Sequence, residues 1–413
     1  MKLEIHQERL AAELDTLGAI SQEAPPVVTR VVFTEADVEA RRYVKNLCTE
    51  AGLVIREDAV GNTFARWAGA DRTLAPVGTG SHIDAIPNAG RFDGTVGVLG
   101  GLEAIRALMR AGYQPRRSIE LIIFTSEEPT RFGIGCLGSR LLGGLLDAKW
   151  ASALRDRHGV SLDDARSAAG FQGPLSSVQL PEGYYSAFVE LHIEQGPILE
   201  QRKIPLGIVT AIAAPASFKV TIEGEGGHAG AVLMPDRHEA FLAAAEIALA
   251  VESSARSSGS TDTVGTVGVC EVFPGAVNSI PSRVRMEMDL RDTDEARRDA
   301  MVLKIQQAFE EVTRRRGVEA EMEQVNADPP AQCDRRIVTT IEQSCSAQGL
   351  AFERMISRAY HDSLFMSRIA PTAMLFIPCR GGVSHRPDEY ASPVAIAQGA
   401  LVLAETLAQL AQH

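Results

Sequence analysis

Residues 76–126 read PVGTGSHIDAIPNAGRFDGTVGVLGGLEAIRALMRAGYQPRRSIELIIFTS, and this stretch decides the fold. One apolar run, PVGTGSH, ends at His82, and a second, SIELIIFTS, ends at Ser126. Between them Val96, Leu99, Leu102, Ile105 and Met109 fall on one face at helical spacing. Strand, helix and strand in that order predict an α/β sheet with parallel character. Two more apolar runs extend it, SAFVELH ending at His192 and TAMLFIP ending at Pro378. Upstream, Thr34 opens a helix with Asp37 placed to complete its cap, and Gly52 stops it.

From about Ala211 the texture changes. ASFKVTIEGEG, TDTVGTVGVCEVFP and SRVRMEMDLRD alternate apolar and polar residues, the pattern of strands with one packed and one exposed face. Amphipathic helices are predicted around 236 to 254 and 294 to 316. This block, residues 211–329, reads as a smaller α+β domain inserted into a first domain of residues 1–210 and 330–413. A closing helix, VAIAQGALVLAETLAQLA, follows the last strand of the main sheet.

A length of 413 residues suits two domains, and 45% hydrophobic with 23% charged residues is ordinary globular composition. The net charge of −12 argues against a sequence-independent nucleic-acid binder, which shows a basic face to phosphates. The opening MKLEIHQERLAAELDTLG lacks the apolar stretch of a signal peptide, and no window reads as long and apolar enough to span a bilayer. Six scattered cysteines without a CxxC pair read as buried thiols in a reducing compartment, so a cytoplasmic protein without membrane or nucleic-acid partners is expected.

Candidate ligands cluster at the ends of the apolar runs. In open α/β sheets, ligands bind in the crevice beyond the carboxyl ends of strands. His82 and Asp84 follow one run, Glu127 and Glu128 a second, His192 a third, and His385 comes after the fourth; Asp93 lies in the loop that opens the helix. Singly each has a bland reading: a structural histidine, a solvated acidic pair, an Asp-Gly turn. Together, three imidazoles and several carboxylates are enough ligand for two divalent ions. Two such ions sharing a carboxylate acidify a water and polarise a carbonyl at once, and Asp93 suits the shared position. Asp84 can accept the second ring N–H of His82 and fix its tautomer. Of Glu127 and Glu128, one can bind metal while the other shuttles a proton.

These segments resemble the metal-dependent M20 peptidase superfamily, within it the branch of allantoate amidohydrolases and N-carbamoyl-amino-acid hydrolases. SHIDAIPNAGRFDGTVGVLGGLEAI, TSEEPTRFGIGCLGSR, ELHIEQGPILE, GGHAGAVLMPDRHEA and GVSHRPDE carry the resemblance over nearly the whole chain. It implies a di-zinc-peptidase-like catalytic domain, a mixed central sheet flanked by helices, with the inserted domain serving as lid and dimerisation domain of a homodimer. It makes His82, Asp93 and His192 ligands of one ion and Asp93, Glu128 and His385 ligands of the other, with zinc or manganese both suitable. Glu127 becomes the proton shuttle. His228 becomes the oxyanion donor, acting across the dimer interface; Asn278 and Arg291 grip a substrate carboxylate, and Gln195 lines the cleft. Without the resemblance, His228 reads as a loop histidine and Arg291 as a partner of neighbouring acids.

Two segments depart from the commoner pattern, Ala231-Val232-Leu233-Met234 and Arg358-Ala359-Tyr360-His361-Asp362-Ser363. With TAIAAPAS, DTVGTVG, PGAVNSIPS and NADPPA they are similar to the ureidoglycolate amidohydrolases, which implies a small ureido acid substrate and a Tyr360 phenol beside its hydroxyl. The competing readings are hydrolysis of allantoate or an N-carbamoyl amino acid, a di-metal aminopeptidase, and a non-catalytic binding protein on the same scaffold.

Overall fold

The computed structural model describes residues 2–412. The chain forms two compact units, one of Met1–Thr210, Cys333–Ser357 and His361–His413, the other of Ala211–Gln332 and Arg358–Tyr360.

At the centre of the first unit lie four parallel neighbours in the order Thr372–Ile377, Ala187–Ile193, Val77–His82 and Ile119–Phe124. All four are buried along their whole length. Their near-continuous apolar sequence follows from being covered on both faces. Leu121 and Ile123 point into one core with Val96, Leu99, Leu403 and Leu407, whereas Ile122 and Phe124 point into another with Phe64, Leu137 and Phe188. Antiparallel strands flank this centre: Leu206–Ile212 on one side, Thr63–Trp67 and Val54–Glu57 on the other. Phe352–Ser357 joins Leu206–Ile212. The sheet is therefore mixed, and these flanking strands escape the sequence reading.

Thr34 caps the helix Glu35–Glu50 by accepting the Asp37 amide, and Gly52 beyond it takes a left-handed φ of 82°. The helix Thr95–Arg110 packs against Pro393–Gln412 and the strand Val77–His82. One helix departs from the expectation that no segment is long and apolar enough to span a bilayer. Pro393–Gln412 is, by length and composition, apolar enough to cross a bilayer, with mean hydropathy 1.5 over an 18-residue window. Within the unit 67% of that window is buried, so its apolar surface is spent on the protein core.

In the second unit a four-stranded antiparallel sheet runs Val264–Phe273, Arg283–Asp292, Ala214–Glu223, Glu319–Ala327. The helices Ala240–Arg256 and Glu295–Arg316 supply Ala243, Ile247, Val251, Met301 and Ile305 to a core with Phe218, Val220, Met286 and Leu290. The first of these helices starts later than 236, because Met234–Asp236 forms a separate 3-10 turn around Pro235. The fourth strand, Glu319–Ala327, is also absent from the sequence reading.

Candidate metal centre

The parallel strands deliver their chemistry at their carboxyl ends. His82 is the last residue of its strand, His192 the penultimate residue of the next, and Glu127 and Glu128 follow Phe124 by three and four residues. In each histidine Nδ1 faces a backbone carbonyl, Asp84 at 3.0 Å for His82 and Ile193 at 2.9 Å for His192. A proton at Nδ1 leaves the Nε2 lone pair for another partner. The Gly94 amide donates to His192 Nε2 at 3.1 Å, consistent with that tautomer.

Both Nε2 atoms face Asp93 Oδ1, at 3.6 Å from His82 and 3.2 Å from His192. The other oxygen, Oδ2, lies 3.3 Å from His385 Nε2, which is also 3.3 Å from Glu128 Oε1. Asp93 thus offers one oxygen to each of two donor groups, His82–Asp93–His192 and Asp93–Glu128–His385, whose ligand atoms lie within 4.8 Å of one another. Imidazole nitrogens with carboxylate oxygens fit zinc or manganese. Gly94 makes the approach possible: its φ is 66°, and a Cβ there would stand 2.5 Å from the His82 ring.

The electrostatics agree with a cation site. Burial alone would raise the Asp93 pKa, but hydrogen bonds with His192, His385 and His82 outweigh it and hold the carboxyl well below the usual range. Hydrogen bonds with Asp93 and Glu128 push His385 up to about 11. A field that favours positive charge at this cluster also draws a divalent cation. Glu127 stands outside both groups, its Oε2 3.8 Å from His82 Nε2. Burial pushes its pKa well above the ordinary carboxylate value; His82 opposes this and Glu128 adds to it.

Asp84 acts differently from the sequence expectation. The His82 ring N–H has the Asp84 carbonyl as partner, while the carboxylate, 3.7 Å from Nδ1, accepts the backbone amides of Glu127 at 3.2 Å and Glu128 at 3.1 Å. It thereby ties the His82 strand end to the acidic pair.

Several residues that serve the centre escaped the sequence reading. Glu389 accepts the amides of Phe92 at 2.7 Å and Asp93 at 3.1 Å, and its other oxygen lies 2.9 Å from Ser384 Oγ. That hydroxyl is also 2.6 Å from Asp93 Oδ2, as is the donating Gln195 Nε2. Both Ser384 and Glu389 sit in GVSHRPDEY around His385, and that adjacency was the available signal. Beneath the ligands, Glu190 accepts the hydroxyls of Ser81 at 2.7 Å and Ser363 at 2.6 Å. The buried His361 ring packs 4.4 Å from that of His192.

The remaining predicted residues belong to the second unit, in two pairs. His228 lies in the strand Gly227–His228, opposite Ser279, and the Ala229 amide donates to the Asn278 carbonyl at 2.9 Å. Arg291 donates to Asp289 at 2.6 Å and 3.1 Å, and its guanidinium carbon lies 5.6 Å from the centre of the Tyr360 ring. Pairing with a neighbouring acid, the bland reading of Arg291, is therefore present alongside the aromatic contact.

Residues 78–409 match peptidase family M20/M25/M40. The chain belongs to this family. It is 54% identical to the ureidoglycolate hydrolase of Oryza sativa subsp. japonica, over 98% of this chain and 85% of that one. It is 38% identical to the N-carbamoyl-L-amino acid amidohydrolase of Geobacillus stearothermophilus, over 99% of each. Its fold superposes with a TM-score of 0.90 on the crystal structure of AtUAH in complex with (S)-hydroxyglycine, 53% identical and covering 99% of this chain and 98% of that one.

Proposed function

We propose that the chain is a metal-dependent amidohydrolase that cleaves the ureido C–N bond of ureidoglycolate, with glyoxylate, ammonia and carbon dioxide as final products. The observation that carries the substrate is the 54% identity to a ureidoglycolate hydrolase across almost the whole chain. The chemistry of the ligand in the similar crystal structure points the same way. (S)-Hydroxyglycine is what remains of ureidoglycolate once its carbamoyl group is gone, and loss of ammonia from it gives glyoxylate.

His82, Asp93 and His192 would hold one divalent cation and Asp93, Glu128 and His385 a second. Such ions supply a Lewis acid for the ureido oxygen and acidify a water. Glu127, outside both donor groups with Oε2 turned toward the His82 end of the cluster, takes a proton from the attacking water and returns it to the departing nitrogen. Gln195 Oε1 is buried with its hydrogen-bonding capacity unmet, so it can accept a ureido N–H. Arg291 and Tyr360 lie side by side, which suits a substrate whose carboxylate and hydroxyl share one carbon. Asn278 is assigned to the same carboxylate and His228 to the developing oxyanion.

The second unit is assigned as lid and dimerisation domain, and the working form as a cytoplasmic homodimer. An apolar hollow of about 430 Å³ between the helix Ala240–Arg256 and the edge strand Val264–Phe273, lined by Phe241, Ala248, Leu249, Val267 and Cys270, supports a second copy as occupant. The relative acting on N-carbamoyl-L-amino acids favours one alternative substrate class for the same centre.

The test is product analysis after chelation and after metal return. Metal-loaded protein should form glyoxylate from ureidoglycolate with two ammonia per glyoxylate, and the chelated protein none. Turnover by rigorously metal-free protein would refute the assignment.

A further inference from the structure

We infer that the Cys136 thiol positions the Glu127 carboxylate, a deepening of the proposed function that rests on Glu127 being its proton shuttle. Cys136 and the first two residues of the helix Leu137–Leu142 are tied to residues 125–127 by three backbone hydrogen bonds. Cys136 donates to the Glu127 carbonyl at 2.7 Å, Leu137 to Ser126 at 2.9 Å, and Gly138 to Thr125 at 2.8 Å. Both turning residues are left-handed without being glycine, Ser126 at φ 56° and Cys136 at φ 55°. Such a conformation costs energy and persists only where the surroundings over-determine it.

The outcome of this clamp is a side-chain contact. Cys136 Sγ lies 3.4 Å from Glu127 Oε1, within hydrogen-bonding range for sulfur, and the cysteine is fully buried. Oε1 is thereby held, and Oε2 is the oxygen turned toward His82 Nε2 and the ligand cluster. Burial and the adjacent carboxylate keep the group a thiol, hence a donor. An S–H is a weak donor. It can orient a carboxylate without stabilising its charge as strongly as an N–H or O–H would, and so without sacrificing its basicity.

Cys136→Ala removes the donor; Cys136→Gly does so too and fits the left-handed backbone; Cys136→Ser keeps a donor of smaller size. On metal-loaded enzyme with ureidoglycolate, Ala and Gly should each lower kcat roughly tenfold while KM and bound metal stay within about twofold, and Ser, a stronger donor on a shorter reach, should recover part of the loss. In a Glu127→Gln background, adding Cys136→Ala should change the residual rate by less than about twofold, because no base remains to be positioned. Wild-type kcat in both donorless variants, or a tenfold loss that persists beside Glu127→Gln, would overturn the inference. Full activity of Glu127→Gln itself would instead bring down the proton-shuttle reading beneath it.

Discussion

Glu127 and Glu128 are neighbours in sequence and differ in what faces them. Glu128 meets His385 and, through it, Asp93; Glu127 meets His82 and the Cys136 thiol. Glu127→Gln should therefore keep its metal and lose on the order of 100- to 10,000-fold in kcat. Glu128→Ala should lose occupancy at one site, read by metal analysis. Equal metal loss in both would show the pair to be misassigned. Glu389 supports Asp93 through its backbone amide and through Ser384, and burial raises its own pKa to about 7. Removing such outer support weakens metal binding by roughly 10- to 100-fold, so Glu389→Gln should do so in a chelator competition. Unchanged affinity would make Glu389 merely structural. The candidate ligands are legible in the sequence because all but Asp93 end or follow an apolar run, and Asp93 opens the helix between two of those runs. Glu389, Ser384 and Cys136 are not, because they touch other residues' amides or carboxylates, and no local pattern separates such a glutamate from a solvated one.

At the scale of elements, the four central strands and the helix Thr95–Arg110 were legible because burial on both faces leaves long apolar runs. The strands missed are those that burial does not mark. Val54–Glu57 is mostly exposed, Phe352–Ser357 is largely half-buried, and Glu319–Ala327 carries three glutamates on an outer strand of its sheet. Their polar sequences do not separate a strand from a loop. The strand Val77–His82 contains the sharpest backbone constraint near the ligands. Gly80 has φ 144°, and a Cβ there would lie 1.9 Å from the Ile122 carbonyl oxygen. Gly80→Ala must push its strand away from the neighbouring Ile119–Phe124, close to His82. It should cost about 3 kcal/mol or more and lower the melting midpoint by roughly 5 °C or more. A variant as stable as the parent would show that the strand spacing is softer than this.

At the scale of the whole molecule, the proposed homodimer places the apolar hollow of the second unit against its copy. Leu249, 64% exposed on the helix Ala240–Arg256, lines that hollow. Leu249→Glu should convert a dimer to a monomer by light scattering, whereas a parent chain that is already monomeric would refute the arrangement. If His228 serves the partner's centre, co-expressed His228→Ala and Glu127→Gln subunits should regain about a quarter of the parent activity, since half of randomly paired dimers carry one intact site of two. No recovery would confine His228 to its own subunit, and a fully active His228→Ala parent would remove it from the reaction. The two-unit division left a change of texture at Ala211 that the sequence displays, but the return of Arg358–Tyr360 to the second unit has no such mark.

The most direct test of the central claim is a side-by-side measurement of kcat/KM on metal-loaded protein for ureidoglycolate, allantoate and N-carbamoylglycine. A site that hydrogen-bonds a substrate hydroxyl rejects an analogue lacking it by as much as about four orders of magnitude. Ureidoglycolate should be the best of the three, and Tyr360→Phe should impair it more than N-carbamoylglycine. Faster turnover of allantoate or N-carbamoylglycine than of ureidoglycolate would contradict the substrate assignment.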